Sequence, residues 1–156
     1  MKKRQPEFLS PLITEELLGS KYASLFRPFG FYSAVLGREI WGPVGFIFDY
    51  ESVPVVKGTS KRGGAGHDLL CRIDSDPVVS KKLAADVYLE MMACRDALLF
   101  ERDMVSVKTA RQKALVKIKT VKRRCRRQTK YWVVRAWPGY FHKFTVTATL
   151  EEISRG

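Results

Sequence analysis

Leu25-Phe-Arg-Pro-Phe-Gly-Phe-Tyr-Ser33 and Arg38-Glu-Ile-Trp-Gly-Pro-Val44 are two aromatic-rich runs separated by Ala34-Val-Leu-Gly37. Aromatic and β-branched residues on either side of a short Gly-containing connection predict a β-hairpin. Pro28 and Pro43 lack the N–H that a central ladder needs, so each should mark an edge or an end of its strand. A third extended piece, Gly45–Asp49, follows. Phe26, Phe29, Phe31, Trp41, Phe46 and Phe48 are expected to fill the core between this sheet and the helices that come after it.

Those helices follow a Gly-rich segment, Lys57-Gly-Thr-Ser-Lys-Arg-Gly-Gly-Ala-Gly66, which reads as a loop passing close to something. It lacks the Gly-x-x-x-x-Gly-Lys-Ser/Thr spacing of a phosphate-binding loop. A short helix is expected from about Ala65 to Ile73. Asp74-Ser-Asp-Pro77 should end it and start the next, with Asp or Ser as cap and Pro77 in the first turn. Val79, Leu83, Val87 and Met91 carry the apolar spacing of a helix from Val78 to about Leu98, with Asp86 at the stripe's border. Leu115, Ile118, Val121, Cys125, Gln128 and Trp132 recur at steps of three and four and predict a long helix from about Val105 to Arg135. Trp137-Pro-Gly139 should end it, and Phe144-Thr-Val-Thr-Ala-Thr-Leu150 alternates like a last strand. The expected class is α+β. Antiparallel β elements over residues 1–56 pack on about three helices, with the Gly-rich loop and His-Asp helices over 57–100, a basic helix over 104–137 and a strand over 140–150. One domain of 156 residues is large enough for a core.

The net charge of +12 is concentrated in one part of the chain. Residues 1–103 hold 14 Lys+Arg against 14 Asp+Glu, whereas residues 104–150 hold 13 Lys+Arg and no acid. Lys117, Lys122, Arg123, Arg124, Arg126 and Arg127 form the densest part, a candidate surface for a polyanion or an acidic protein face. Helix-turn-helix and zinc-finger spacings are absent, so any DNA contact is expected to be nonspecific. Cys71, Cys94 and Cys125 are odd in number and widely spaced, which fits a reducing compartment. Met1-Lys-Lys-Arg4 is followed by no apolar run of signal-peptide length, and no segment reaches the ~20 apolar residues of a membrane span.

The candidate chemistry lies in Asp49 with Ser52 and Pro54, then His67-Asp68, then Asp86. This His-Asp pair, with a later helical Asp, bears a loose similarity to phospholipase A2-like enzymes. That similarity implies a water-activating His67 oriented by Asp86, with Asp68, aided by Asp49, on a calcium ion. The glycine-rich calcium loop and disulfides of those enzymes are missing. A non-catalytic reading uses the same residues: Asp49 sets a turn, and His67 donates to Asp86 to staple two helices, with no cofactor. The staple is the leading expectation and hydrolysis the alternative.

The ordered motifs resemble a small family encoded by tailed bacteriophages and prophages, the domain of unknown function thirteen-fifty-three. The matching positions are Pro43, Gly45, Phe46, Asp49, Ser52, Val53, Pro54, His67, Asp68, Leu70, Ala85, Asp86 and Met91 or Met92. Tyr131-Trp-Val-Val-Arg-Ala-Trp137 is similar to the family's later segment. Leu70-Cys71 and Val55 stand where the family usually carries a Tyr and an Arg. The resemblance implies a phage structural or assembly protein, made in the host cytoplasm and built into the virion as a minor tail or tail–neck component. Its partners would be other virion proteins, and DNA nonspecifically. The alternatives are a phage hydrolase of lipid or cell wall using His67, Asp68 and Asp86, and a nonspecific nucleic-acid-binding accessory protein.

Overall fold

The computed structural model describes residues 4–49, 60–136 and 143–155. Ser52, Pro54 and the Trp137-Pro-Gly139 helix stop lie outside them.

The aromatic hairpin forms where its alternation places it. Strand β4 (Phe29–Ser33) pairs antiparallel with β5 (Arg38–Gly42), and β1 (Glu7–Phe8) adds on the other side of β4. Phe29, Phe31 and Ile40 point inward and are buried, each worth about 1.5–3 kcal/mol of hydrophobic transfer. Gly37 closes the turn at φ 69, a conformation that favours glycine. Trp41 departs from the expected core, being 49% exposed. It sits one residue out of phase with Ile40 and covers Gly30, where a Cβ would meet its ring at 2.5–2.7 Å. Its Nε1 donates to Glu39 Oε2 at 3.1 Å.

A second three-stranded antiparallel sheet has the order β2-β3-β6, from Thr14–Glu16, Tyr22–Leu25 and Ile47–Asp49. The run Leu25–Ser33 is therefore two strands, one in each sheet. The chain bends through Phe26-Arg-Pro28, which leaves Phe26 exposed instead of in the core. Pro28 and Pro43 both fall outside the ladders. Gly45, at φ 82, donates its N–H to Leu25 O at 2.8 Å and turns the chain back into β6, burying Phe46 and Phe48.

The glycines at 63, 64 and 66 are helical, which corrects the loop reading. Helix α1 (Lys61–Leu70) is capped by Ser60, whose side chain accepts from Gly63 N. A Cβ at Gly63 would stand 2.9 Å from Tyr88 Cε2, and one at Gly66 would stand closer than 3.0 Å to Met91 Cε and Sδ. Both partners lie on α2 (Lys81–Val105), so the glycines let two helix backbones approach. Helix α2 starts at the Ser80 cap, after Pro77, whose peptide bond to Asp76 is cis. Pro77 is thus not in its first turn. Helix α3 (Ala110–Ala136) opens on Thr109-x-x-Gln112, a reciprocal capping box, and packs on α2.

The expected final strand is a short helix, α4 (Leu150–Arg155). Thr149 and Glu152 make a second capping box: Glu152 Oε2 accepts from Thr149 N at 2.7 Å, and Thr149 Oγ1 accepts from Glu152 N. Residues 143–149 are irregular, held by Phe144 O and by Asp74 Oδ1, which accepts from Val146 N at 2.6 Å. The class is α+β, two small three-stranded antiparallel sheets packed with three principal helices.

Candidate functional site

Helical spacing puts His67 and Cys71 one turn apart on α1, and the structure brings them into contact. Cys71 Sγ lies 3.6 Å from both ring nitrogens, and Asp68 Oδ1 lies 3.7 Å from Nδ1. The Tyr88 ring meets the imidazole edge-on, 5.6 Å between centroids. Burial disfavours the charged ring, but Cys71 and Asp68 outweigh it and push His67 up to about 10. Asp68 Oδ2 accepts the backbone N–H of Asp49 at 3.1 Å, tying α1 to the end of β6. Lys21 Nζ stands 3.7 Å from Asp49 Oδ2. Beneath them Arg72 is buried, donates to Ile47 O, and faces the Phe46 ring.

Asp86 is placed elsewhere. Its Oδ1 accepts from the Tyr131 hydroxyl at 2.8 Å, and that oxygen in turn accepts from Arg135. Asp86 ties α2 to α3 and does not hold the imidazole, so the expected His67–Asp86 staple is replaced by two separate ties. Asp49 and Asp68 are neighbours, as a calcium site would need. Among the described residues, however, no group of three or more His, Cys, Asp or Glu could hold a metal ion. Glu90 is a third tie that sequence reading passed over. It accepts from Ser33 Oγ at 2.6 Å and from Ala34 N and Val35 N, bracing the β4–β5 turn against α2. Leaving such a buried donor or acceptor unpaired costs about 1–3 kcal/mol.

Helix α3 is turned opposite to the expected way. The apolar stripe faces out: Ile118 is 52%, Val121 60% and Trp132 59% exposed, with Leu115 and Cys125 also exposed. The face toward α2 carries Val116, Arg123, Arg127 and Lys130. Arg123 donates to Asp103 Oδ2 and Arg127 to Asp96 Oδ2, both at 2.8 Å. Asp103 is held below the usual carboxylate range by its hydrogen bond from Arg123, with Arg102 adding to it against the opposing effect of burial. Two of the six cations expected to form one surface are thus spent on α2, while Lys117, Lys122, Arg124 and Arg126 are exposed and flank the apolar stripe.

The spacing 116, 120, 123, 127, 130 was available as a second stripe, but its cations read as solvent-facing. The acids that draw it inward, Asp96 and Asp103, lie in the formally neutral part of the chain. No described helix is long and apolar enough to cross a membrane. No protein-family model, curated protein or solved structure matches the chain, so its fold and site rest on its own geometry.

Proposed function

We propose that this protein is a minor structural or assembly component of a tailed-phage particle, in the tail or tail–neck region. It docks on an acidic neighbouring subunit through the outer face of α3. The phage context comes from the sequence resemblance, and the mode of attachment from one observation: an exposed apolar stripe on a helix without acids, edged by cations.

Exposed Ile118, Val121 and Trp132 on a single helix face favour a partner that removes them from water. Lys117 and Arg124 along one side, with Lys122 and Arg126 along the other, favour an acidic rim on that partner. A second copy of the same face sets cation against cation. Nucleic-acid phosphates satisfy the rims but leave the apolar centre in water. The polar ties at Asp68, Asp86 and Glu90 hold the two sheets and the helices around them, and no substrate enters this account.

The experiment is to purify intact particles and quantify the protein in them. Saturation of the isolated protein by anionic vesicles, with none in the particles, rejects the reading in favour of a lipid surface. An ester- or wall-hydrolysing activity lost in His67→Ala rejects it in favour of the enzyme.

A further inference from the structure

The three thiols are free, and their surroundings differ. Cys125 is exposed on α3, and Cys94 packs with its Sγ 3.7 Å from Pro6 O. Cys71 is half-buried against an imidazole. The end of α1 sets that contact. Cys71 is the C-cap, its N–H donates to His67 O at 3.0 Å, and residues one turn apart are side-chain neighbours.

Cys71 Sγ stands 3.6 Å from Nδ1 and from Nε2, so the ring can take the thiol proton at either nitrogen. Asp68 Oδ1, 3.7 Å from Nδ1, offsets the charge the ring then gains, and the C-terminal end of a helix favours a cation there. That helix end disfavours a negative sulfur, an effect opposed by the protonated ring and by Arg72. Arg72 is buried, next in sequence, and in electrostatic range of Cys71, Asp68, Asp49 and Asp74. Lys21 reaches the same cluster through Asp49, and the Tyr88 ring of α2 packs edge-on against the imidazole.

We propose that Cys71 is a reactive thiol that exchanges with low-molecular-weight disulfides, with His67 as the base that frees its thiolate. Helical spacing and contact supply the two parts of an activated nucleophile, a thiol and an adjacent base held by a third group. The thiolate attacks one sulfur of the disulfide. A new S–S bond forms at Cys71, the old one breaks, and the leaving thiolate takes the proton that the ring had accepted. The Cys71 sulfur is oxidised and the departing sulfur reduced, so the disulfide is the whole oxidant. With Cys94 at Pro6 and Cys125 on α3, the product is a mixed disulfide. The site is separate from the outer face of α3 and stands whether or not the protein belongs to a particle.

The test is the rate of mixed-disulfide formation at neutral pH with 2-hydroxyethyl disulfide, a small uncharged probe that the chain's net charge does not steer. Peptide mass spectrometry reads the rate at each cysteine. An unassisted thiol is only a few per cent thiolate at neutral pH, so complete ionisation gains about 30-fold. The weaker nucleophilicity of a stabilised thiolate takes back a large part of that gain. Cys71 in the folded full chain should therefore react at least about threefold faster than in the urea-unfolded chain, although folding half-buries it. His67→Gln should reverse the order and make Cys71 slower folded than unfolded, with the Cys125 rate unchanged. If His67→Gln unfolds, shown by Cys94 reacting at its unfolded rate, the comparison within the native chain decides alone. Native Cys71 reacting no faster than in the unfolded chain overturns the proposal. So does a folded His67→Gln protein in which Cys71 keeps its native rate.

Discussion

Replacing Gly66 by Ala sets two known effects against each other, and the structure says which wins. In a helix interior, Ala is favoured over Gly by about 0.5–1 kcal/mol. Gly66 lies inside α1 without positive φ, so on propensity alone the substitution stabilises. The added methyl, however, would stand closer than 3.0 Å to both Cε and Sδ of Met91, which is fully buried. Met91 cannot swing into water, and overpacking of this kind costs about 1–3 kcal/mol. The net is a loss centred near 1 kcal/mol, or a melting temperature about 2–4 °C lower for a chain of this size. In a Met91→Ala background, itself about 2–5 kcal/mol less stable, the clash is gone and Gly66→Ala should turn stabilising by about 0.5–1 kcal/mol. Urea unfolding of the four proteins in this cycle measures the sign change. A stabilising Gly66→Ala in the otherwise native chain, or equal losses in both backgrounds, refutes the close approach of α1 and α2.

Three further outcomes follow from the same geometry. His67 is pushed up to about 10, above the unfolded value of about 6.5, so its protonated ring stabilises the fold. That contribution is whole below about pH 6.5 and is lost as pH rises through about 10; the stability gap between native protein and His67→Gln should shrink across that window, and a constant gap contradicts it. Tyr131→Phe removes the hydroxyl shared by Asp86 and Arg135 and should cost about 1–3 kcal/mol, with much of the loss absent in an Asp86→Ala background by thermal melting. Ile118→Ser and Val121→Ser should each move stability by no more than about 0.5 kcal/mol, where a core position would lose several times that.

The parts legible in the sequence are those decided locally. The β4–β5 hairpin was readable because Phe29, Phe31 and Ile40 alternate and Gly37 closes the turn. The existence of α2 and α3 followed from apolar spacing. Which face of α3 turns inward did not, because a three-four repeat fixes periodicity but not the partner. Asp96 and Asp103, on another helix, draw Arg123 and Arg127 in and leave Ile118 and Val121 out. The glycines of α1 misled for a related reason: alone they signal a loop, and only Met91 and Tyr88 show why a helix needs them. At the C-terminus, alternation over Phe144–Leu150 competed with the Thr149-x-x-Glu152 capping box, and the cap won. In the candidate site, the His67–Asp68 pair was legible. Cys71 was available one turn on but went unread, and the partner of Asp86 is Tyr131, 45 residues away in sequence.

The docking role of α3 is tested most directly by counting this protein in purified particles. The native chain should be compared with Ile118→Ser/Val121→Ser/Arg124→Glu, whose fold and cellular level are checked in parallel. The account predicts that the native protein is a constant component and that the variant, folded and present at normal level in the lysate, is lost from the particles. Variant particles carrying the full native amount, or native particles carrying none, contradict it.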